Sequence, residues 1–205
     1  MVCNVVVSAV ESLDDGVLRK RPGLQGPIDD AFCDRFLMVR PTGGESANEQ
    51  VNQWVKKEMA HAIEHWRRQF RGDAPVKDDT AVTDADMAGN NLILWGTPET
   101  NAVLKKMVEK LPVRWDDKNL TVGGKTFDAA QHVPVLIYPN PLFPKKYVVL
   151  NSGFTFREYD YLNNARQVPK LPDWAVLDVS VPLTSRAPGK VIAADFFDES
   201  WKVKK

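Results

Sequence analysis

The chain has 205 residues and balances 27 lysine and arginine residues against 27 aspartate and glutamate residues, so its formal net charge is zero. Hydrophobic residues make up 43% and charged residues 26%, the composition of an ordinary globular protein with a full core. Neutrality argues against a general binder of nucleic acid or anionic membranes, since both partners favour a basic excess. Because no segment approaches the roughly 20 apolar residues that span a bilayer, we expect a soluble protein without a membrane span.

The first 34 residues are interrupted by turn signals. Residues 1–10 are apolar but lack the cationic start and cleavage site of a signal peptide, and Val5–Val7 could form a short strand. The Gly26-Pro27 dipeptide predicts an ordered loop or single turn. We therefore predict that residues 1–34 form an N-terminal extension with an ordered loop. Cys3 and Cys33 fit one bridge or two free thiols equally well.

Apolar strands then alternate with amphipathic helices. Short apolar runs predict strands over 36–39, 91–95, 133–138, 147–150, 174–181 and 191–197. A helix over residues 46–70 has its apolar residues at helical spacing. Thr97 is expected as the N-cap of another helix, with Pro98 at its first position. A capped short helix is predicted at 83–86, and a further one near 158–167.

This alternation predicts an α/β fold with a mainly parallel open sheet and helices on both faces, a Rossmann-like or flavodoxin-like three-layer sandwich. Residues 113–127 are typical of a β-hairpin insertion that turns at 116–117 or 123–124. We predict one α/β domain over residues 35–201 and a frayed tail over 202–205. The order of the strands cannot be read from the pattern.

Small and polar residues follow the predicted strands. In an open parallel sheet, ligands bind beyond the carboxyl ends of the strands. The ligand-binding candidates at these positions are Thr42, Gly43, Gly96, Thr97, Asn101, Asn140, Asn151 and Ser152. Strand-to-helix turns require the same residue types for purely structural reasons.

No motif assigns a catalytic residue. His61-Ala62-Ile63-Glu64-His65 matches an inverted zinc-peptidase pattern, but its side chains are expected to face solvent, so we predict no metal site. A G-x-S-x-G nucleophile elbow is missing from the sequence. Ser152, paired with His132, and Asp29 remain as catalytic candidates. Cys33 beside Phe32 is expected to be a core residue rather than a nucleophile, and no cofactor is predicted.

Several segments together resemble a known family. They are LRKRPGLQGPIDDAF, FLMVRPTG, NLILWGTPETN, LIYPNPL, YVVLNSGFTFREYD and LPDWAVLDV. They are similar to the C-terminal region of large bacterial proteins of the prolyl-oligopeptidase or α/β-hydrolase (esterase-like) families, over residues 18–201. In those proteins the serine hydrolase module lies upstream, which implies that the start of this chain is the remnant of a preceding segment. One departure is that Thr97 and Thr100 replace the Asp and Ser of a G-D-P-x-S-N run.

The resemblance implies a non-catalytic accessory domain that binds substrate, docks on the upstream hydrolase module or supports assembly into a homo-oligomer. A small neutral ligand or a peptide is the expected ligand, and nucleic acid is not expected. Two alternatives stay open. One is a hydrolase in its own right with its site at the carboxyl edge of the strands, and the other is a purely structural or dimerisation module.

Overall fold

The structure is a computed structural model that describes residues 17–204. Cys3, the predicted strand Val5–Val7 and Lys205 of the predicted tail lie outside the described residues. Cys33 is exposed, so the expectation that it is a core residue was wrong, although the neighbouring Phe32 is buried.

The described residues form two sheets and three α-helices. The strands are β1 (Phe36–Arg40), β2 (Val76–Asp78), β3 (Asn91–Leu94), β4 (Arg114–Trp115), β5 (Asn119–Val122), β6 (Lys125–Asp128), β7 (His132–Pro139), β8 (Tyr147–Leu150), β9 (Trp174–Asp178) and β10 (Lys190–Asp195). The helices are α1 (Glu49–Phe70), α2 (Asp84–Gly89) and α3 (Ala102–Met107). Short 3₁₀ helices lie at Ile28–Phe32, Asp79–Ala81, Val108–Lys110, Glu158–Leu162 and Asn164–Arg166.

The main sheet has seven strands in the order β10-β9-β7-β8-β3-β1-β2. The strands β2, β1, β3 and β8 are parallel neighbours, whereas β7 is antiparallel to both β8 and β9, and β10 is antiparallel to β9. The α/β class is therefore confirmed, but the sheet is mixed. Residues 140–146 alone join β7 to β8, which is too short for the crossover that parallel strands need.

The middle of this sheet is covered on both faces. Every residue of β3 and β8 is buried, as are the first four of β1. Because successive side chains of a strand point to opposite faces, an unbroken buried run requires packing on both sides. The apolar runs of the sequence therefore belong to the core strands.

Helix α1 packs through one apolar stripe. Val51, Val55, Met59 and Ala62 are buried at spacings of three and four residues. The helix ends where Arg71 adopts a left-handed conformation, with φ at 59°. The predicted end of the helix at residue 70 agrees with this.

The insertion between α3 and β7 is a separate three-stranded antiparallel sheet in the order β4-β5-β6. Its chain turns at Asp116–Lys118 and again at Gly123-Gly124. The side chain of Asn48, at the start of α1, donates hydrogen bonds to the carbonyls of Asp117 and Ala129. These bonds tie the insertion to the start of α1.

None of the helices within residues 17–204 is long and apolar enough to cross a membrane.

A buried ion pair joins the N-terminal segment to β9. Lys20 Nζ lies 2.5 Å from Asp173 Oδ2, and the Asp173 side chain is fully buried. Asp173 also accepts a hydrogen bond of 2.9 Å from the backbone N–H of Phe197. One carboxylate thus holds together the N-terminal segment, β9 and the residues that follow β10.

We predict that Lys20→Met lowers the free energy of unfolding by about 3 kcal/mol at neutral pH, because it leaves the buried Asp173 carboxylate without its cation. The matched control is Lys56→Met, which breaks the ion pair with Glu45, where both side chains are 60% exposed. That variant is expected to lose less than about 1 kcal/mol. Urea unfolding measures both, and equal losses would contradict the importance of the buried pair.

Candidate functional site

The loops at the carboxyl ends of β1, β2 and β3 are tied together by hydrogen bonds. Thr42 Oγ1 donates to Asp79 Oδ1 at 2.6 Å, and Asp79 Oδ2 accepts from the backbone N–H of Ala102 at 2.6 Å. The backbone N–H of Gly43 donates to the carbonyl of Thr100 at 2.9 Å. Asp79 is buried and links the ends of β1 and β2 to the start of α3.

Asn101 is fully buried and occupies the centre of these contacts. Its Oδ1 accepts from the backbone N–H groups of Val103 and Leu104, and its Nδ2 donates to the carbonyls of Trp95 and Val39. Asn101 is therefore the N-cap of α3. The prediction that Thr97 caps this helix and that Pro98 begins it was wrong.

Thr97 and Thr100 form a separate turn before the helix. The backbone N–H of Thr100 donates to the Thr97 carbonyl at 3.1 Å, and the backbone N–H of Thr97 donates to Thr100 Oγ1 at 2.9 Å. Thr100 thereby satisfies the donor that would otherwise be free at this position. Because residues 97–100 form this turn, α3 begins only after Asn101, which caps it.

Asn151 closes the loop after β8 against the loop after β3. Its Oδ1 accepts from the N–H of Gly96 at 2.8 Å and its Nδ2 donates to the Gly96 carbonyl at 3.1 Å. Asn151 is buried and adopts φ of 49°, a left-handed conformation that asparagine tolerates better than most residues. The Asn151 side-chain amide thus makes the hydrogen bonds to Gly96 that a neighbouring strand would make if β3 continued.

The two candidate glycines permit close approach between these loops. A β-carbon on Gly43 would lie 2.9 Å from the carbonyl oxygens of Glu99 and Thr100. At Gly96 it would lie 2.5 Å from Thr100 Oγ1, and the backbone φ is 97°. Any side chain at either position would separate the loops that follow β1 and β3.

Asn140 lies at the other edge of the sheet from the remaining candidates, whereas His132, at the start of β7, lies at their edge. Because β7 is antiparallel to β8, its carboxyl end carries Asn140 to the opposite edge of the sheet, where Asn140 Oδ1 accepts from the N–H of Leu142. His132 begins β7, and its Nδ1 lies 2.7 Å from the carbonyl oxygen of Asp128. Ser152 Oγ donates to the Gly153 carbonyl. Within residues 17–204, no hydrogen bond joins Ser152 to His132.

A cavity of about 350 Å³ lies between α1 and the loops after β1 and β3. Its α1 side consists of Asn52, Val55, Lys56, Met59, Ala60 and Ile63. Its loop side consists of Arg40, Pro41, Gly44, Gly96 and Thr100. We call this cavity the α1 groove. From β1 the chain continues to β2 on one side and then returns to β3 on the other side of β1. The groove therefore opens at the point in the sheet where successive strands are added in opposite directions.

The charges at the rim of the α1 groove are already paired. Arg40 Nε lies 2.6 Å from Asp78 Oδ1, and Lys56 Nζ lies 2.6 Å from Glu45 Oε1. The walls between them are mainly aliphatic. This combination favours a neutral group with apolar surface over a charged one.

A second cavity of about 260 Å³ lies on the other side of the Thr97 turn, between Ser46, Lys105 and Trp115. A third of about 620 Å³ lies between Val108–Trp115 and the β5–β6 turn. None of the predicted site residues lines the third cavity.

Asp29 is buried at the junction between the first 3₁₀ helix and the loop after β8. Its Oδ1 accepts from the N–H of Thr155 and its Oδ2 from Thr155 Oγ1, both at 2.8 Å. Burial raises the pKa of Asp29 to about 6, although the two hydrogen bonds from Thr155 oppose this shift. Asp29 therefore anchors the loop that follows Ser152, and no hydrogen bond connects it to that serine among the described residues.

The His61–His65 motif does not face solvent, so that expectation was wrong. His65 is buried, and His61 Nε2 lies 2.8 Å from Glu158 Oε1. Only Glu64 is exposed, beside Arg68. The segment from β8 to β9 covers this flank of α1, which a helical wheel cannot reveal. Within residues 17–204, no three metal-ligating side chains gather at one point.

A buried ion pair holds that covering segment on α1. Arg157 Nη1 lies 2.5 Å from Glu58 Oε1, and both side chains are less than 10% exposed. Burial lowers the pKa of His61, but Glu58 and Glu158 outweigh it, so the net pKa is raised. Burial and, to a smaller extent, the nearby His61 lower the pKa of His65 to about 4. The pair of histidines therefore carries at most one positive charge near neutral pH.

The predicted site residues did not include Asp79, Thr100 or the α1 residues that line the groove. The acidic pair Asp78-Asp79 was present in the sequence, but nothing in it placed β2 beside β1. Lys56 and Ala60 directly follow the apolar residues Val55 and Met59 in the sequence, so the surface of α1 beside its apolar stripe could be recognised from the sequence.

Comparisons with protein-family models, curated proteins and solved structures find no match to this chain.

We predict that Asn151→Ala lowers the free energy of unfolding by about 3 kcal/mol, because it leaves both polar groups of Gly96 unpaired and keeps a β-carbon at positive φ. Asn151→Gly loses the same hydrogen bonds but removes the backbone strain, and should lose about 1 kcal/mol less. Chemical denaturation measures both. Near-wild-type stability of both variants would show that the Gly96 bonds contribute little.

Asp29 should make the protein less stable as pH rises from about 4 through about 6, since its pKa is higher in the folded state than in the unfolded state. Relative to Asp29→Asn, the wild type should lose on the order of 3 kcal/mol over this range. Unfolding free energies measured at several pH values test this.

The control for that measurement is Asp86→Asn. The ion pair with Lys77 and hydrogen bonds from Thr83 lower the pKa of Asp86 to about 2, so its contribution is lost as pH falls through that value. The two variants should therefore show opposite pH trends relative to the wild type. A flat difference for Asp29→Asn would contradict the raised pKa.

Proposed function

We propose that the chain is a non-catalytic α/β accessory domain of a serine-hydrolase protein of the peptidase or esterase type, and that the α1 groove is its binding surface. The proposed ligand is a neutral, partly apolar group such as an amino-acid side chain of a peptide. The link to a hydrolase rests on the sequence resemblance over residues 18–201.

The position of the α1 groove is the observation that carries this proposal. In open sheets with parallel strands, ligands bind beyond the carboxyl ends at the point where connections leave in opposite directions. Here β1 lies between β2 and β3, and the groove is lined by the loops that follow β1 and β3. Its volume of about 350 Å³ suits one side chain or a small molecule.

The hydrogen bonding of the candidate side chains supports a binding role over a chemical one. The polar groups of Asn101 and Asn151 are used to connect strands and loops, and Ser152 Oγ donates to the adjacent carbonyl. None of these three residues lines the groove, and none directs a reactive atom into it.

We further infer a three-layer arrangement of the flavodoxin-like type. The chain moves from β1 to β2 in one direction across the sheet and from β2 to β3 in the other. Right-handed crossovers then place α1 on one face and α2 on the other, with α3 on the same face as α2. The β4–β6 sheet is the proposed insertion in this scheme.

The raised pKa of Asp29 favours a second candidate, a hydrolase in its own right. It predicts turnover of small acyl esters that is lost in both Asp29→Ala and Ser152→Ala. Such turnover, measured with p-nitrophenyl acetate, would replace the accessory-domain proposal.

The groove is tested with N-acetylphenylalanine amide, a neutral blocked amino acid, titrated into the protein while the methyl signal of Met59 is followed by NMR. We expect saturable shifts that disappear in Ala60→Trp, since Ala60 is exposed at the groove and a tryptophan there would fill it.

Lys57→Trp is the matched control, because Lys57 is an exposed residue of α1 that does not line the groove. It should leave the titration unchanged. N-acetylglycine amide, which has no side chain to bury, should give no saturable shift. Equal responses to the two probes, or loss of the response in Lys57→Trp, would overturn the assignment of the groove.

A further inference from the structure

Two arginines converge on one exposed tyrosine at the end of the segment that covers α1. The guanidinium carbon of Arg186 lies 3.7 Å from the centroid of the Tyr159 ring, and that of Arg166 lies 5.1 Å from it. Tyr159 itself is 37% exposed. We call these three side chains the Tyr159 cluster.

The cluster is held in place by its backbone. The N–H of Tyr159 donates to the carbonyl of Ser185 at 3.0 Å, which fixes the tyrosine to the loop between β9 and β10. Thr184 Oγ1 accepts from the N–H of Arg186, and Asn163 Oδ1 accepts from the N–H of Arg166. Both arginines therefore start from turns with defined geometry, which reduces the entropy lost when a ligand is bound.

The positive charge of the cluster is not neutralised nearby. Within residues 17–204, neither Arg166 nor Arg186 has a carboxylate within 4.0 Å, whereas the adjacent Arg157 is paired with Glu58. The nearby guanidinium groups of Arg166 and Arg186 lower the pKa of the Tyr159 phenol. Both guanidinium groups thus act on the region around the phenol oxygen.

We propose that the Tyr159 cluster is a binding site for the phosphate group of a small phosphate monoester. Two guanidinium groups offer paired N–H donors that match the geometry of phosphate oxygens, and the tyrosine hydroxyl adds a third donor. The site is separate from the α1 groove and does not depend on the function assigned to it.

An apolar neighbour suggests what the phosphate is attached to. Leu162 is 71% exposed and follows Tyr159 by three residues in the 3₁₀ helix Glu158–Leu162. Residues three apart share one side of a 3₁₀ helix, so Leu162 and Tyr159 lie on the same side. The ligand is therefore a monoester whose organic part has apolar surface, for which phenyl phosphate is a simple probe.

Tyrosine ionisation gives a direct readout of binding. Burial raises the pKa of Tyr138, Tyr147 and Tyr161, so Tyr159 is the first of the four tyrosines to ionise as pH rises. A bound phosphate would offset the charge of the two arginines and raise the pKa of Tyr159. Ultraviolet absorbance of the phenolate, with potassium chloride at matched ionic strength as the reference salt, measures this shift.

The test titrates phenyl phosphate and inorganic phosphate separately into the full chain at neutral pH and follows the Arg166 and Arg186 side chains by NMR. We expect both probes to bind, with phenyl phosphate tighter. Arg166→Ala and Arg186→Ala should each weaken binding by about tenfold. Leu162→Ala should weaken only phenyl phosphate, whereas Val168→Ala, also at an exposed apolar residue, should change neither.

The matched charge control is Arg67→Ala, at an exposed arginine of α1 outside the cluster. Unchanged affinity in this variant, together with the upward shift of the Tyr159 titration, supports the site. Loss of affinity in Arg67→Ala equal to that in Arg186→Ala would show non-specific attraction and overturn it. An unshifted Tyr159 titration at saturating phosphate would overturn it as well.

Discussion

The parallel part of the sheet depends on how its backbone groups are satisfied where the strands stop. At their carboxyl ends, β1 and β3 lose the ladder of hydrogen bonds while still buried, and an unpaired buried group costs about 1–3 kcal/mol. Asn101 and Asn151 supply the missing partners through their side-chain amides. Each side-chain amide both donates and accepts hydrogen bonds, so one asparagine can pair two backbone groups that have no strand partner.

This solution also determines the shape of the α1 groove. The hydrogen bonds of the Asn101 and Asn151 side-chain amides, together with the lack of a side chain at Gly43 and Gly96, bring the loops after β1 and β3 close together. The turn from Thr97 to Thr100 is part of the loop after β3. The space that remains lies between these loops and α1. The same loops therefore contain the structural hydrogen bonds and border the groove that we propose as the binding surface.

Helix α1 separates surfaces of different chemistry. One flank, with Val55 and Met59, faces the neutral groove. The other is covered by the segment after β8, through the Glu58–Arg157 ion pair and the contact of His61 with Glu158. The Tyr159 cluster lies at the outer side of that covering segment, where two arginines have no carboxylate partner in the described part of the chain. Arg157 is buried and paired with Glu58 of α1, whereas Arg186 is exposed.

Local pattern was enough to predict the strands of the core and helix α1, since the period of apolar residues depends only on which faces are buried. The strand at Tyr147–Leu150 has the bounds expected from its apolar run, and α1 begins three residues after its expected start. The polar residues after β1, β3 and β8 were also visible as candidates. These features involve contacts within one element or its adjoining turn.

Tertiary structure alone decided the cap of α3 and the burial of His65, whereas the short 140–146 connection already required β7 to run antiparallel to β8. Asn140 left the predicted site because β7 runs antiparallel, and Asn101 replaced Thr97 as the cap because its amide could reach Trp95 and Val39 at the same time. His61 and His65 are covered by residues nearly a hundred positions later in the chain. For the helix cap and the histidines the physical reason is the same: the groups that contact these side chains come from different elements, and their proximity exists only after the sheet has formed.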